Sequence, residues 1–348
     1  MIKLGLLGCG RIGQVHAQSI AQLAIMLPAG PQPAGPQQTG PQLTGARLVA
    51  VADAIPAAAQ ALADKTGAQP MTAEAAIASP DVDAVVIATP TDTHYDLIHA
   101  AARAGKAIFC EKPVDMSADR IRDCIAVVEA NGVPFLTAFN RRFDPGFALL
   151  QARLRAGEVG RIELVTILSR DPAPPPIQYI KHSGGIFRDM MIHDFDMARF
   201  LLGEDPVQVF AVGSALVDPA IGAAGDVDTA AVTLTTASGA ICQISNSRRA
   251  RYGYDQRVEV HGSKGMLRAG NVLENTIEMA DASGFRVAPA QHFFLERYQN
   301  AYRAEMMHFL DIVGRGAAAS PDVRDGLAAQ LLADAAARSL ASGLPVAV

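Results

Sequence analysis

Residues 2–13 read Ile2-Lys3-Leu4-Gly5-Leu6-Leu7-Gly8-Cys9-Gly10-Arg11-Ile12-Gly13. Ile2–Leu7 is a short apolar run, as expected of a strand buried on both faces of a parallel sheet. The glycines follow at once, and Gln14–Leu27 then has helical composition. A GxGxxG run alone is weak evidence; between a strand and a helix it acquires a mechanism. Its glycines permit a tight turn and a close backbone approach to a pyrophosphate, while the helix N-terminus supplies N–H groups and a favourable dipole. Gly8, Gly10, Arg11, Ile12 and Gly13 are therefore candidate dinucleotide contacts, against the plainer reading of an ordinary glycine turn.

The next strand, Leu48–Ala52, ends at Asp53. An acid there accepts hydrogen bonds from ribose hydroxyls and repels a 2′-phosphate, which favours NAD over NADP; the competing reading is a simple strand-end cap. Gly13 and Asp53 are 40 positions apart, twice the usual spacing of about 20. The excess is a low-complexity stretch at 27–46, with GPQ three times over, whose Pro, Gly and Gln leave little to bury. It reads as a tolerated loop insertion joining a helix back to a strand, at the sheet edge away from the ligand crevice.

Beyond it the alternation continues: helix Pro56–Thr66, strand Val82–Thr89, helix His94–Ala104, strand Ala107–Cys110, helix Asp119–Ala130 closed by Asn131–Gly132, and strand Val133–Ala138. Repeated βα units predict a doubly wound α/β domain over 1–138. From 139 to 348 the texture changes. Arg161–Ser169, Val207–Leu216, Thr229–Thr236, Ala240–Ser247 and Gln256–His261 read as strands without intervening helices, and a Ser238–Gly239 turn joins two of them. Long helices follow at Gln299–Val313 and Val323–Ala341, and these last helices can pack back on the first domain. The expectation is an α+β domain on an open, mostly antiparallel sheet whose uncovered face calls for a homo-oligomer.

Composition narrows the function classes. The chain of 348 residues is 50% hydrophobic and 19% charged, with a formal net charge of −5. That balance lacks the basic footprint of a nucleic-acid binder. Arg141–Arg142 and Arg248–Arg249–Arg251 do cluster; such groups are usually solvated surface, and polar substrates also use them. Cys9, Cys110, Cys124 and Cys242 show no CxxC spacing and read as reduced, buried thiols of a cytoplasmic protein. Neither a signal peptide nor a membrane-length apolar stretch is visible.

Other chemistry-bearing pieces lie just past strands. Thr89-Pro90-Thr91 with Thr93-His94, and Glu111-Lys112-Pro113, sit where a parallel sheet binds ligands, so Thr89, Thr91, His94, Glu111 and Lys112 are further cofactor candidates. Later comes Gly184-Gly185-Ile186-Phe187-Arg188-Asp189-Met190-Met191-Ile192-His193-Asp194. Asp189 and His193 are four apart, so on a helix they share a face. A histidine oriented by a carboxylate is suited to moving a proton near neutral pH. A structural Asp–His pair and a metal site are the competing readings, the latter short of further ligands.

Taken together, GxGxxG, Glu111-Lys112-Pro113 and the Asp189…His193 pair resemble the Gfo/Idh/MocA oxidoreductase family along essentially the whole chain. The resemblance implies an N-terminal Rossmann domain, a second α/β domain with an open sheet, tetramers assembled through those sheets, and often a cis Lys–Pro bond. Phe139-Asn140-Arg141-Arg142-Phe143-Asp144-Pro145, Arg170-Asp171-Pro172 and the GGIFRDMMIHDFDMARFLLGE run look like the inositol 2-dehydrogenases, which oxidise myo-inositol to scyllo-inosose with NAD. By that resemblance Lys112, Asp189 and His193 are catalytic: His193 is the general base, Asp189 orients it, and Lys112 stabilises the developing alkoxide. Lys112, Asn140, Arg141, Asp171, Asp189, His193 and Tyr252 would contact the polyol, and no metal is implied. Alternatives are another inositol isomer or a cyclic sugar as substrate, a periplasmic oxidoreductase, and a non-catalytic dinucleotide sensor.

Overall fold

The computed structural model describes residues 1–26 and 45–348. Most of the expected insertion, residues 27–44, lies outside the described residues. Two compact units emerge: Met1–Asn140 with Ala301–Leu327, and Arg141–Asn300 with Ala328–Val348. The C-terminal stretch is thus divided, since residues 301–327 belong to the first unit and 328–348 to the second.

The first unit runs β1 (Ile2–Leu7), α1 (Arg11–Met26), β2 (Ala46–Ala52), α2 (Pro56–Thr66), β3 (Gln69–Pro70), α3 (Ala73–Ala78), β4 (Ala84–Ile87), α4 (His94–Arg103), β5 (Ala107–Cys110), α5 (Ala118–Asn131) and β6 (Phe135–Thr137). Its six strands are all parallel, in the order β3-β2-β1-β4-β5-β6. This is the doubly wound Rossmann order, which reverses direction at β1 and opens a crevice at the strands' carboxyl ends. Alternation within each strand explains why both faces are covered. Leu4, Leu6, Val86, Phe109 and Leu136 point to one side, where they meet Ile20, Leu23, Leu62 and the Met306, Phe309, Leu310 and Ile312 of a later helix. Leu7, Val85, Ile87, Ile108 and Cys110 point to the other, against Ile98, Ile121, Cys124 and Val128. Each such large side chain contributes about 1.5–3 kcal/mol by burial. The α5 helix starts with Ser117 accepting from the Arg120 N–H and stops at left-handed Gly132. The two-residue β3 and six-residue α3 are too short to show a period and were not foreseen.

The second unit contributes α6 (Pro145–Arg155), β7 (Ile162–Arg170), α7 (Ile177–Ile180), α8 (Gly185–Asp189), α9 (Ile192–Leu202), β8 (Pro206–Ser214), α10 (Pro219–Ala223), β9 (Thr229–Thr236), β10 (Ile241–Ser247), β11 (Asp255–Gly262), β12 (Gly265–Ala269), β13 (Glu278–Asp281), β14 (Gly284–Val287) and α11 (Phe294–Arg297). Then follow α12 (Gln299–Arg315), α13 (Val323–Ser342) and β15 (Val346–Ala347). Its main sheet has the order β12-β11-β7-β10-β9-β8-β15. Only β7 and β10 pair in parallel among its described strands. The expected Ser238–Gly239 turn closes the β9–β10 hairpin, with Gly239 at φ +90°.

One face of this sheet is buried through Val165, Ile167, Val209, Ala211, Val232, Leu234, Cys242 and Ile244. The opposite face keeps apolar side chains in solvent, including Phe210 at 37%, Val212 at 50% and Ile241 at 38% exposure. The register also sets polar residues side by side on the buried face, since Ser169 pairs with Asn246 on one side and Gln256 on the other.

Candidate functional site

In the first unit the candidate residues gather at the carboxyl ends of β1, β2, β4 and β5. Gly8 N donates to Ala52 O at 2.8 Å, Ala88 N to Leu7 O at 2.7 Å and Glu111 N to Ile87 O at 2.9 Å, extending the ladder past the strand ends. The three glycines serve different ends. A Cβ on Gly8 would lie 2.4 Å from Ala88 O, and one on Gly13 only 1.9 Å from Gly8 O, so the turn itself excludes side chains there. A Cβ on Gly10 would meet nothing within 4 Å. Gly10 is therefore not required by protein packing, and the open space beside it, at the start of α1, fits a pyrophosphate held by backbone N–H groups.

Asp53 does more than end a strand. Its Oδ2 accepts from Cys9 N at 2.7 Å and its Oδ1 from Ile55 N at 2.8 Å, so the carboxylate braces the glycine loop. Each oxygen retains acceptor capacity for a ribose hydroxyl. Arg11 is exposed and Ile12 half-buried at the mouth of the loop.

His94 departs from the expectation of a cofactor contact. It is buried to 1% exposure, with Nε2 at 2.9 Å from Thr89 O and Nδ1 at 3.0 Å from Pro113 O. Burial lowers its pKa. The ring ties the loop after β4 to the segment after β5, supporting Thr89 and Lys112 rather than presenting itself. Thr89 is engaged further through Thr93 Oγ1 at 2.7 Å, while Thr91 opens a short 3₁₀ turn.

Glu111 is held by a residue the sequence did not single out: buried His16 on α1, whose Nε2 lies 2.7 Å from Glu111 Oε1. The partners are 95 positions apart, and no spacing rule connects them. Lys112 follows directly, half-buried, and its bond to Pro113 is cis. Asn140, the last residue of this unit's first segment, is buried at 3% exposure.

In the second unit Asp189 and His193 do not share one helix. Asp189 ends α8 and His193 is the second residue of α9, with Met190 and Met191 in a turn between them. Met190, Met191 and Ile192 are all buried, and three consecutive inward side chains cannot lie on one helical face. Asp189 accepts from Tyr179 Oη at 2.8 Å through Oδ1, and from both terminal nitrogens of Arg248 at 3.3 Å through Oδ2. Asp171, which continues β7, belongs to the same polar group. Burial raises its pKa to about 6, against the lowering influence of Arg248 and Arg141.

Arg141, a candidate substrate wall with solvated surface as the plainer alternative, is buried rather than solvated: it is 4% exposed and donates to Asp194 at 2.5 Å and to Ser169 at 3.1 Å. Asp194 also accepts from Ser169 at 2.6 Å and Asn246 at 2.9 Å, so a fully buried carboxylate is satisfied by three side chains. Arg142 likewise pairs with buried Asp196 through two nitrogens. Through Asp194, Ser169 and Asn246 tie α9, and with it His193, to β7 and β10, while the two arginines tie it to the segment before α6. Tyr252 is 57% exposed and its hydroxyl donates to Asp255 at 2.8 Å.

Known proteins place the chain. Residues 2–139 match the model for an oxidoreductase family with an NAD-binding Rossmann fold, and residues 147–268 match the GFO/IDH/MocA C-terminal domain. The chain belongs to the GFO/IDH/MocA oxidoreductase family. Its first unit carries the family's NAD-binding domain. The inositol 2-dehydrogenase of Rhizobium meliloti is 52% identical over 347 residues, covering 100% of this chain and 99% of the relative. A crystal structure of a myo-inositol dehydrogenase from Corynebacterium glutamicum is 39% identical with a TM-score of 0.90, covering 100% and 99% of the two chains. The scyllo-inositol dehydrogenase of Lactobacillus casei, solved with bound NAD(H) and scyllo-inositol, is 27% identical with a TM-score of 0.88, again covering 100% and 99%. Among the described residues, no helix is long and apolar enough to cross a membrane. All four cysteines are free and buried.

Proposed function

We propose that this chain is an NAD-dependent inositol 2-dehydrogenase that oxidises myo-inositol to scyllo-inosose in the cytoplasm. The observation that carries the reading is the group Asp171, Asp189, Asp226 and Tyr179 around Arg248, a set of hydroxyl acceptors and donors suited to a polyol. It occurs in a chain that matches an inositol 2-dehydrogenase end to end. Asp171 and Asp189 each offer carboxylate oxygens to substrate hydroxyls.

Bound NAD would supply the acceptor for the hydride that leaves the carbon becoming the ketone. His193 takes the proton of the reacting hydroxyl, Asp189 orients that imidazole, and Lys112 stabilises the alkoxide as it develops. Gly8 and Gly13 hold the turn, Gly10 admits the pyrophosphate, and Asp53 receives the adenosine ribose. Asn140 and Tyr252 are assigned to the polyol surroundings.

Formation of NADH with myo-, scyllo- and chiro-inositol and with cyclic aldoses tests the substrate. The expected result is the highest kcat/KM on myo-inositol, with NADP used at least about tenfold less well because Asp53 repels a 2′-phosphate. Preference for another isomer or a sugar would reassign the substrate. Tight NADH binding with no turnover on any polyol would point to a dinucleotide sensor.

The exposed apolar face of the second sheet supports a homotetramer, because a second copy would remove Phe210, Val212 and Ile241 from water. Sedimentation equilibrium should give four chain masses, and the Phe210→Glu/Val212→Glu double variant a smaller species. A monomeric wild type would refute this assembly.

A further inference from the structure

Arg248 heads the fully buried side chains by size, at 1% exposure, while its neighbours Arg249 and Arg251 are exposed. It follows β10, and its main-chain N–H donates to Asp228 O at 2.8 Å. Both terminal nitrogens lie 3.3 Å from Asp189 Oδ2, and Nη2 lies 3.9 Å from Asp226 Oδ2. Asp226 Oδ1 in turn accepts from Ile186 N at 3.0 Å, where α8 begins. One guanidinium thus reaches the carboxylate at the end of α8 and the carboxylate that pins its start.

A buried cation is costly unless carboxylates surround it, and the same acids repel one another without it. The groups facing this centre are Asp171 from the end of β7, Tyr179 from α7, Asp189 from α8 and Asp226 from the loop before β9. Arg141 and Asp194 add to the field at Asp171.

We propose that Arg248 is a positioning residue for polyol oxidation: it fixes the Asp189 carboxylate and balances the charges of Asp171 and Asp226, so that these acids can face one substrate together. This rests on the polyol reading above. Charge removal has a definite sign. Arg248 opposes the burial-driven rise of the Asp171 pKa, so its loss moves Asp171 to a higher pH.

The test compares Arg248→Met and Arg248→Lys with the wild type in the intact protein. It reads kcat/KM for myo-inositol against pH at saturating NAD, NADH affinity by fluorescence, and Asp171 titration by ¹³C-carboxyl NMR assigned with Asp171→Asn. Arg248→Met should lose at least about 100-fold in kcat/KM, shift the acidic limb and the Asp171 titration upward by about one pH unit or more, and keep NADH affinity. Arg248→Lys should restore the titration and only part of the rate, because one ammonium cannot reproduce the two-nitrogen contact. An unchanged acidic limb and Asp171 titration in Arg248→Met would overturn the proposal. If that variant does not fold, wild-type kcat/KM in Arg248→Lys would overturn it. A wild type that binds NADH but oxidises no polyol would defeat the polyol reading instead, and the Asp171 titration would still decide the electrostatic role of Arg248.

Discussion

His193→Ala and Lys112→Met should each lower kcat at saturating myo-inositol and NAD by about 10²–10⁴-fold, the usual worth of a positioned acid–base or charge-stabilising group. The two losses should differ in kind. Without His193 no imidazole takes the hydroxyl proton, so the residual rate should rise with pH as hydroxide substitutes for the base. Without Lys112 the alkoxide loses its cation. His193 is not among the cofactor candidates, so its loss should leave NADH affinity within about threefold of wild type. Arg142–Asp196 and Arg141–Asp194 hold α9 independently of the imidazole, so His193→Ala should also keep its melting temperature. Near wild-type turnover in either variant would end the role assigned to that residue. Equal losses of activity and folding would assign it to structure.

Alanine substitutions in the glycine loop should give the second large effect, and they separate folding from binding. Gly13→Ala places a methyl 1.9 Å from Gly8 O, a backbone atom that cannot move without distorting the turn. The expected cost is at least about 3 kcal/mol of stability, together with loss of NADH binding. Among the described residues, a Cβ at Gly10 meets nothing within 4 Å beyond its own chain neighbours, so Gly10→Ala should leave the melting temperature unchanged. Its methyl would nevertheless stand where a pyrophosphate must approach, lowering NADH affinity by about tenfold or more. Thermal melts paired with NADH fluorescence titrations read both quantities. Wild-type NADH affinity in Gly10→Ala would remove the pyrophosphate from that position.

Much of the first unit was legible. The strands Ile2–Leu7 and Ala107–Cys110 stand where the apolar runs predicted, because burial on both faces leaves no room for polar residues. The apolar run predicts a strand over Val82–Thr89, but β4 spans only Ala84–Ile87, since flanking apolar residues also pack in turns. The sequence offers His94 as a cofactor contact past β4, and only the fold shows the two carbonyl oxygens that hold its ring. The break between α8 and α9 was equally hidden, because spacing by four is compatible with one helix or with two short ones.

Sequence alone thus determined the elements whose causes are local. A glycine loop between strand and helix, an acid ending the next strand and a period of two along β7 to β11 all act over a few residues. The tertiary structure decided which charges are buried and what they hold. Arg248 and Arg249 are adjacent and chemically identical, yet one is buried against a carboxylate 59 positions away and the other is exposed. The glycine loop shows the same division. Its motif was readable at sight, but that Gly8 and Gly13 serve the turn while Gly10 leaves space for a ligand depends on atoms brought close only by folding.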